Sequence, residues 1–317
     1  MPSRTSPNTL AGPYLERASH WRKDEVRLRA ALKDPTTLFV PVWRARSLVA
    51  AGECLSAHFV SGIQTFVHAS ESEFILLGEF RSHACFAVEM PADRTHALDP
   101  RLQFHDLRTI AGELPHEEAG VLAYARAMIH WRGQHRYCGR CGSPTIAEQG
   151  GHMLRCSNPG CEARQFPRID PAVIVLVTDG ERALLGRQAS WPQGRYSTIA
   201  GFVEPGESLE DAVVREVHEE TGVIVEAVEY HSSQPWPFPS SLMLGFTAHA
   251  RRTEIHRIDE ELEDALWLTR RQIATGVVAL PTTHSISFRL IEDWYDAGTA
   301  TPLRSEPGVR MWQAPRR

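Results

Sequence analysis

The stretch Gly201-Phe-Val-Glu-Pro-Gly-Glu207-Ser-Leu-Glu-Asp-Ala-Val-Val-Arg215-Glu216-Val217-His-Glu219-Glu220-Thr-Gly222-Val223 decides how this chain is read. Its second half has the marks of a helix. Ser208 is a good N-cap, and Asp211 three residues on gives a variant of the capping box. Gly222 is placed to end the helix in a left-handed cap. Leu209, Val213 and Val217 form one apolar stripe. At about 3.6 residues per turn, Glu216, Glu219 and Glu220 fall within an arc of roughly 100°. Three like charges on one face repel and destabilise an isolated helix. Two readings fit: a solvated acidic face, or carboxylate oxygens converging on a hard divalent cation. Arg215, four residues before Glu219, can brace that acid.

Outward from this segment, strand and helix signals alternate. Upstream, Ala172-Val-Ile-Val-Leu-Val177 is an apolar run rich in β-branched residues, which predicts a buried strand. The Asp179-Gly180 turn and Ala183-Leu-Leu-Gly186 follow, as in a hairpin or a long turn between strands. Downstream, Ser285 to Tyr295 predicts a helix with Ile286, Leu290, Ile291 and Trp294 on one side. Nearer the N-terminus, Thr37–Trp43, Phe74–Gly78 and Ala84–Met90 read as strands of a small, mostly β domain, a scaffold or dimerisation unit without a chemical motif. Residues 117–132 predict a helix. The expected organisation is a flexible leader over 1–24, an N-terminal scaffold domain over 25–132, a cysteine-rich segment over 133–167 and a C-terminal domain over 168–317.

Composition sets limits. With 42% hydrophobic and 23% charged residues, the 317-residue chain is ordinary for a globular protein and long enough for two domains. A net charge of -5 gives no global attraction to nucleic acid or membrane. A polyanionic substrate must then be met by local basic groups or bound metal. No run of about 18 apolar residues predicts a spanning helix. The N-terminus lacks a secretory h-region, and its prolines oppose the amphipathic helix of a transit peptide. A cytoplasmic protein without membrane attachment is expected.

Four cysteines stand at Cys138-x2-Cys141-x14-Cys156-x4-Cys161. Two close pairs separated by a loop suit one tetrahedral zinc ion, and a shell filled by four thiolates makes that zinc structural. His135 and His152 could replace a thiolate, but the four cysteines already close the shell. Arg132, His135, Arg136, Arg140 and Arg155 make the segment locally basic, so nucleic-acid binding by the ribbon stays open.

The carboxylate segment resembles the Nudix signature Gly-x5-Glu-x7-Arg-Glu-apolar-x-Glu-Glu-x-Gly-apolar. It does so at every fixed position: Gly201, Glu207, Arg215, Glu216, Val217, Glu219, Glu220, Gly222 and Val223. The resemblance implies an α+β or α/β chain carrying a Nudix α/β/α sandwich. Its loop–helix–loop would bind catalytic Mg2+ or Mn2+ through Glu216, Glu219 and Glu220, with Arg215 and Glu207 in the catalytic set. Ten residues further stands Ser233-Gln-Pro-Trp-Pro-Phe-Pro-Ser-Ser-Leu-Met243. Three prolines alternating with aromatics exclude a central strand and predict a stiff, extended segment with exposed rings, fit to dock a peptide or to wall a planar base. It is similar to the Ser-Gln-Pro-Trp-Pro-Phe-Pro-x-Ser motif of the NADH pyrophosphatase branch. That resemblance implies substrate contacts from Gln234, Pro235, Trp236, Pro237, Phe238, Pro239, Ser240 and Ser241.

A zinc ribbon ahead of the Nudix domain is typical of that branch. Phe166-Pro167-Arg168 resembles its Tyr-Pro-Arg stretch, so Phe166 keeps the stacking ring and loses the hydroxyl. Phe202 matches the other stacking aromatic, and Glu261 a downstream metal-binding Glu. Ala200 matches a metal contact, Ser287 a substrate contact, and Arg108 a substrate-binding Arg of the N-terminal domain. The resemblance runs from about Ala119 to Trp294. It implies metal-dependent hydrolysis of the pyrophosphate of NAD(H) to NMN(H) and AMP by a homodimer. The branch also supports removal of NAD caps from RNA 5′ ends. The alternative is a zinc-ribbon nucleic-acid-binding regulator with an inactive Nudix domain, which the intact signature opposes.

Overall fold

A computed structural model describes residues 8–66, 69–91, 99, 101–257 and 261–312. The chain divides into two units: Thr9–Ile169 with Trp236–Ser240, and Met1–Asn8 with Asp170–Pro235 and Ser241–Arg317.

In the first unit, α1 (Glu25–Lys33) starts at Asp24, whose side chain accepts from Arg27 N. The strands are β1 (Leu38–Trp43), β2 (Arg46–Ala50), β3 (Ser56–Ala57), β4 (Val60–Ser61), β5 (Ile75–Phe80), β6 (His83–Glu89) and β7 (Leu102–His105). They form one sheet in the order β3-β2-β1-β6-β5, with β4 beside β1 and β7 beside β2. The β1–β6 pair is parallel, from Leu38↔Cys85 to Val42↔Glu89. Side chains of period two alternate faces. Val40, Val42, Ile75, Leu77 and Ala87 therefore meet Val121, Leu122, Ala125 and Met128, which lie on the long helix after the short α2 (Leu107–Ile110), α3 (His116–Gln134). Phe39, Leu76, Phe86 and Val88 face the other way, toward Trp21, Phe66 and Phe74. Burial on both faces makes these strands continuous apolar runs, which is why sequence reading found β1, β5 and β6.

The expected flexible leader is corrected over residues 8–24. Leu10, Ala18 and Trp21 are buried in the two cores. Their spacing follows the surface they cover rather than a helix or strand period. Residues 1–7 of that leader lie outside the described residues. The cysteine-rich segment is a three-stranded antiparallel ribbon, β10-β9-β8, of β8 (Thr145–Glu148), β9 (Met153–Cys156) and β10 (Arg164–Gln165).

The second unit holds β11 (Asp170–Thr178), β12 (Arg182–Gln188), β13 (Ile199–Phe202), α4 (Leu209–Thr221), β14 (Ile224–Trp236), β15 (Ser241–Arg252), β16 (Leu262–Thr269), α5 (Arg270–Ala274), β17 (Ala279–Leu280), α6 (Ile286–Asp296) and β18 (Arg310–Met311). The sheet order is β14-β15-β11-β12-β16, with β13 on β11. Along β11, Val173, Val175 and Val177 meet Ala212, Val213 and Val217 of α4. Ile174 and Leu176 point the other way, into the cluster of Ile286, Leu290 and Ile291 of α6. One period-two strand thus seats a helix on each face, and the unit is the expected α/β/α sandwich. The expected hairpin after β11 is present, with Val177 opposite Leu184. The Pro-aromatic segment departs from a uniformly extended stretch. Pro235 and Trp236 end the edge strand β14, and residues 237–240 form the turn into β15. An edge position tolerates Pro because no ladder donor is needed on the outer side.

Candidate active site and zinc ribbon

Helix α4 presents the signature residues. The capping box forms as expected: Ser208 Oγ accepts from Asp211 N at 3.1 Å, and Asp211 Oδ2 accepts from Ser208 N at 3.3 Å. Gly222 caps the far end at φ 71°, and a Cβ there would meet the His256 carbonyl at 2.5 Å. The helix is therefore fixed at both ends, and its register sets the acids.

Arg215 gathers three of them. Its guanidinium donates to Glu207 Oε1 at 2.5 Å and Oε2 at 3.0 Å, a two-pronged pair. It also reaches Glu216 at 2.9 Å, Glu219 at 3.0 Å and the Phe202 carbonyl at 2.9 Å. The loop Phe202–Glu207 is thereby tied to the helix. The Arg215 hydrogen bonds hold the Glu207 carboxyl down at about 2, so Glu207 is a fixed anion of the scaffold. Glu216 is pushed the other way. Burial raises it above the usual carboxylate range against the pull of Arg215, and the charges of Glu219 and Glu261 push in the same direction as burial. Glu216 and Glu220 are only 8% and 3% exposed. Glu219 stays half-exposed, beside Arg215.

Gly201 is the floor beneath Glu216. A Cβ there would lie 1.9 Å from the Glu216 carboxyl carbon. Ala200, the preceding residue, pairs with Ile174 across β13–β11. A buried carboxylate with raised proton affinity, two further acids within electrostatic reach and a backbone cradle with no side chain fit a hard divalent cation. The ring of Phe202 at the edge of this loop is 59% exposed.

Two residues expected to touch substrate have their polar groups turned to the protein. The Gln234 amide donates to His284 O and accepts from Ile286 N, both at 2.8 Å, and so holds the start of α6. Ser287 is buried, with its hydroxyl 2.9 Å from Ser197 Oγ and 2.8 Å from Thr198 Oγ1. This fastens the chain that enters β13. Arg187 was not anticipated. Buried in β12, it pairs with Glu263 and donates to the Trp191 carbonyl at 3.0 Å. Its signal was a lone cation closing the apolar run Ala183–Gly186.

The first unit carries Phe166, Arg108 and the predicted contacts Trp236 to Ser240, while Pro235 and Ser241 belong to the second. Trp236 and Phe238 pack edge to face at 5.0 Å. Arg108 lies 5.8 Å from the Trp236 ring and Arg126 4.9 Å from Phe238. Pro237 is buried, its carbonyl accepting from Arg126. Phe166 is 54% exposed. Sulfur atoms of Cys138, Cys141, Cys156 and Cys161 all lie within 4.8 Å of one another. The Cys138–Cys161 and Cys141–Cys156 separations are 3.9 and 3.4 Å. A tetrahedron with Zn–S near 2.3 Å has edges of about 3.8 Å, so the set fits a structural zinc. His135 and His152 turn instead to the carbonyls of Trp131 and Leu76.

Among the described residues no helix is long and apolar enough to cross a membrane. Comparison with known proteins gives three family matches along the chain: an NADH pyrophosphatase-like rudimentary NUDIX domain over residues 35–131, an NADH pyrophosphatase zinc ribbon domain over 134–166 and a NUDIX domain over 168–293. The chain is 42% identical over 234 residues to the NAD-capped RNA hydrolase NudC of Stutzerimonas stutzeri, covering 73% of this chain and 81% of that one. It is 43% identical over 197 residues to the NAD-capped RNA hydrolase NUDT12 of Macaca fascicularis, covering 57% of this chain but only 43% of the relative. A solved NUDIX hydrolase from Nitrosomonas europaea aligns over 56% of this chain and 97% of its own, with TM-score 0.44 and 20% identity. By the length and identity of its match to NudC, and by the three domain matches in series, the chain belongs to the NADH pyrophosphatase (NudC) family of Nudix hydrolases.

Proposed function

We propose that the protein hydrolyses the pyrophosphate bond of NAD(H), giving NMN(H) and AMP, and removes NAD caps from RNA 5′ ends by breaking the same bond. The observation that carries this is the Arg215 network, which holds the buried Glu216 over the bare backbone of Gly201. Mg2+ or Mn2+ held by Glu216, Glu219, Glu220 and Glu261, with the Ala200 carbonyl, would neutralise diphosphate oxygens and acidify a water. The protein's own contribution is positioning. Arg215 holds Glu207 as an anion and opposes the burial that favours the protonated form of Glu216. Glu219 and Glu220 are the candidates to take the proton of the attacking water. Phe202 and Phe166 each offer an open ring face to a nicotinamide or base. Within the first unit, Trp236, Phe238 and Arg108 group two aromatic rings and a cation. A homodimer belongs to the same proposal and is checked by light scattering. Turnover of NADH and of NAD-capped RNA, measured side by side with Mg2+ and with Mn2+, tests the reading. Failure on both substrates with both metals overturns it.

A further inference from the structure

Away from the carboxylates, the 189–198 loop and the β17–β18 pair enclose an open cavity of about 540 Å³, lined by Gln193, Arg195, Ala279, Val309, Arg310 and Met311. Ligand sites occupy about 300–1,000 Å³. Arg195 bridges to Ala279 through the backbone, and its guanidinium lies 5.8 Å from the Trp312 ring centre. Arg310 donates to the Gly276 carbonyl at 3.2 Å, and among the described residues no carboxylate pairs with it. Trp191 and Trp312 stand edge to face with centres 5.0 Å apart. Both are fastened: Trp312 Nε1–H donates to the Ala279 carbonyl at 2.8 Å, and Arg187 holds the Trp191 carbonyl.

Guanidinium groups bind phosphate in a fixed fork geometry, and indole faces stack bases of any sequence. Gln193 can read a base edge as donor or acceptor. Two guanidinium groups in one small cleft favour an anionic occupant over an apolar one. Arg195 precedes Ala200 by five residues, so at most about 18 Å of chain separates the cleft from the carboxylate site.

We propose that this cleft binds the RNA chain of a 5′-capped substrate, with backbone phosphates on Arg195 and Arg310 and a base against Trp191. The proposal rests on the reading of the carboxylate site given above, and its test keeps the two apart. A labelled single-stranded RNA of about 10 nucleotides, uncapped, is titrated with the full-length protein across a salt series. NADH turnover is followed on the same preparations. For Arg195→Ala/Arg310→Ala, RNA binding at low salt weakens about tenfold. The slope of log K against log salt shrinks by about 1.4, since each phosphate contact on a single strand contributes about 0.7. NADH kcat/KM stays within twofold, while KM for NAD-capped RNA rises about tenfold. Gln193→Glu removes no packing and adds a charge to the cleft; it weakens RNA binding in the same direction. Wild-type protein that fails to bind the RNA, or variants with unchanged affinity and salt slope, overturns the cleft assignment. Loss of NADH turnover in the wild type would overturn the hydrolase reading and leave the RNA titration to judge the cleft.

Discussion

Gly201→Ala separates folding from chemistry. A Cβ at Gly201 would lie 1.9 Å from the carboxyl carbon and Oε1 of Glu216. Real Cβ contacts need about 3.0–3.4 Å, so the carboxyl group must retreat by more than 1 Å. The group displaced is the end of a flexible side chain, and Gly201 is outside the positive-φ glycines. The fold can therefore absorb the change at little cost. The site cannot, because misplacing a catalytic group by about 1 Å costs about 100-fold. Retreat also loosens the 2.9 Å bond to Arg215, which helps keep Glu216 ionised. The expected result is a kcat on NADH lowered about 100-fold at saturating Mg2+, with the melting temperature near that of wild type. Gly133→Ala is the control, since nothing lies within 4 Å of a Cβ there. In the last turn of α3 it should be neutral or mildly stabilising, by less than about 1 kcal/mol. Gly201→Ala with activity within threefold of wild type would refute the claim that Glu216 needs this floor.

Other outcomes follow from single contacts. Phe202→Ala should lower kcat/KM for NADH by about one to two orders of magnitude through lost stacking and apolar contact, and much less for a diphosphate without nicotinamide; equal losses would make Phe202 a loop support. Wild type should show one zinc per chain by elemental analysis, and Cys138→Ser/Cys141→Ser should abolish it and unfold the ribbon, because closed sites of this kind supply folding energy directly; zinc retained at one per chain in the variant would contradict this. Burial holds His152 down at about 4 from an ordinary 6.5. The folded state then binds fewer protons than the unfolded one, so stability falls as pH drops from 6.5 toward 4. The loss is about 3 kcal/mol at most. Urea unfolding of His152→Gln and wild type at pH 7 and pH 4.5 should show a smaller acid loss in the variant; equal losses would remove His152 as the cause.

The sequence made the helix and its acids legible because caps, stripe and spacing are local features, and all reappear in α4. The strands buried on both faces were legible for the same reason. The edge strand β14 was not. β14 alternates irregularly and carries exposed residues such as Ile224 and Tyr230, so no period marked it. The packed segment 8–24 was hidden because Leu10, Ala18 and Trp21 fill gaps left by distant elements. Gln234 and Ser287 were read for substrate, yet both hold backbone that enters the site. Motif spacing marks a position as special without saying whether its side chain faces the ligand or the frame. The gathering of Glu207, Glu216 and Glu219 by one guanidinium is tertiary, and only its helical i, i+4 part could be read in advance.

The most direct measurement is product analysis of NADH treated with the protein and Mg2+, for wild type and Glu220→Gln. The account predicts AMP and reduced nicotinamide mononucleotide in equal amounts from the wild type, and almost none from the folded variant. Free nicotinamide with an intact diphosphate, or products formed equally by Glu220→Gln, would contradict it.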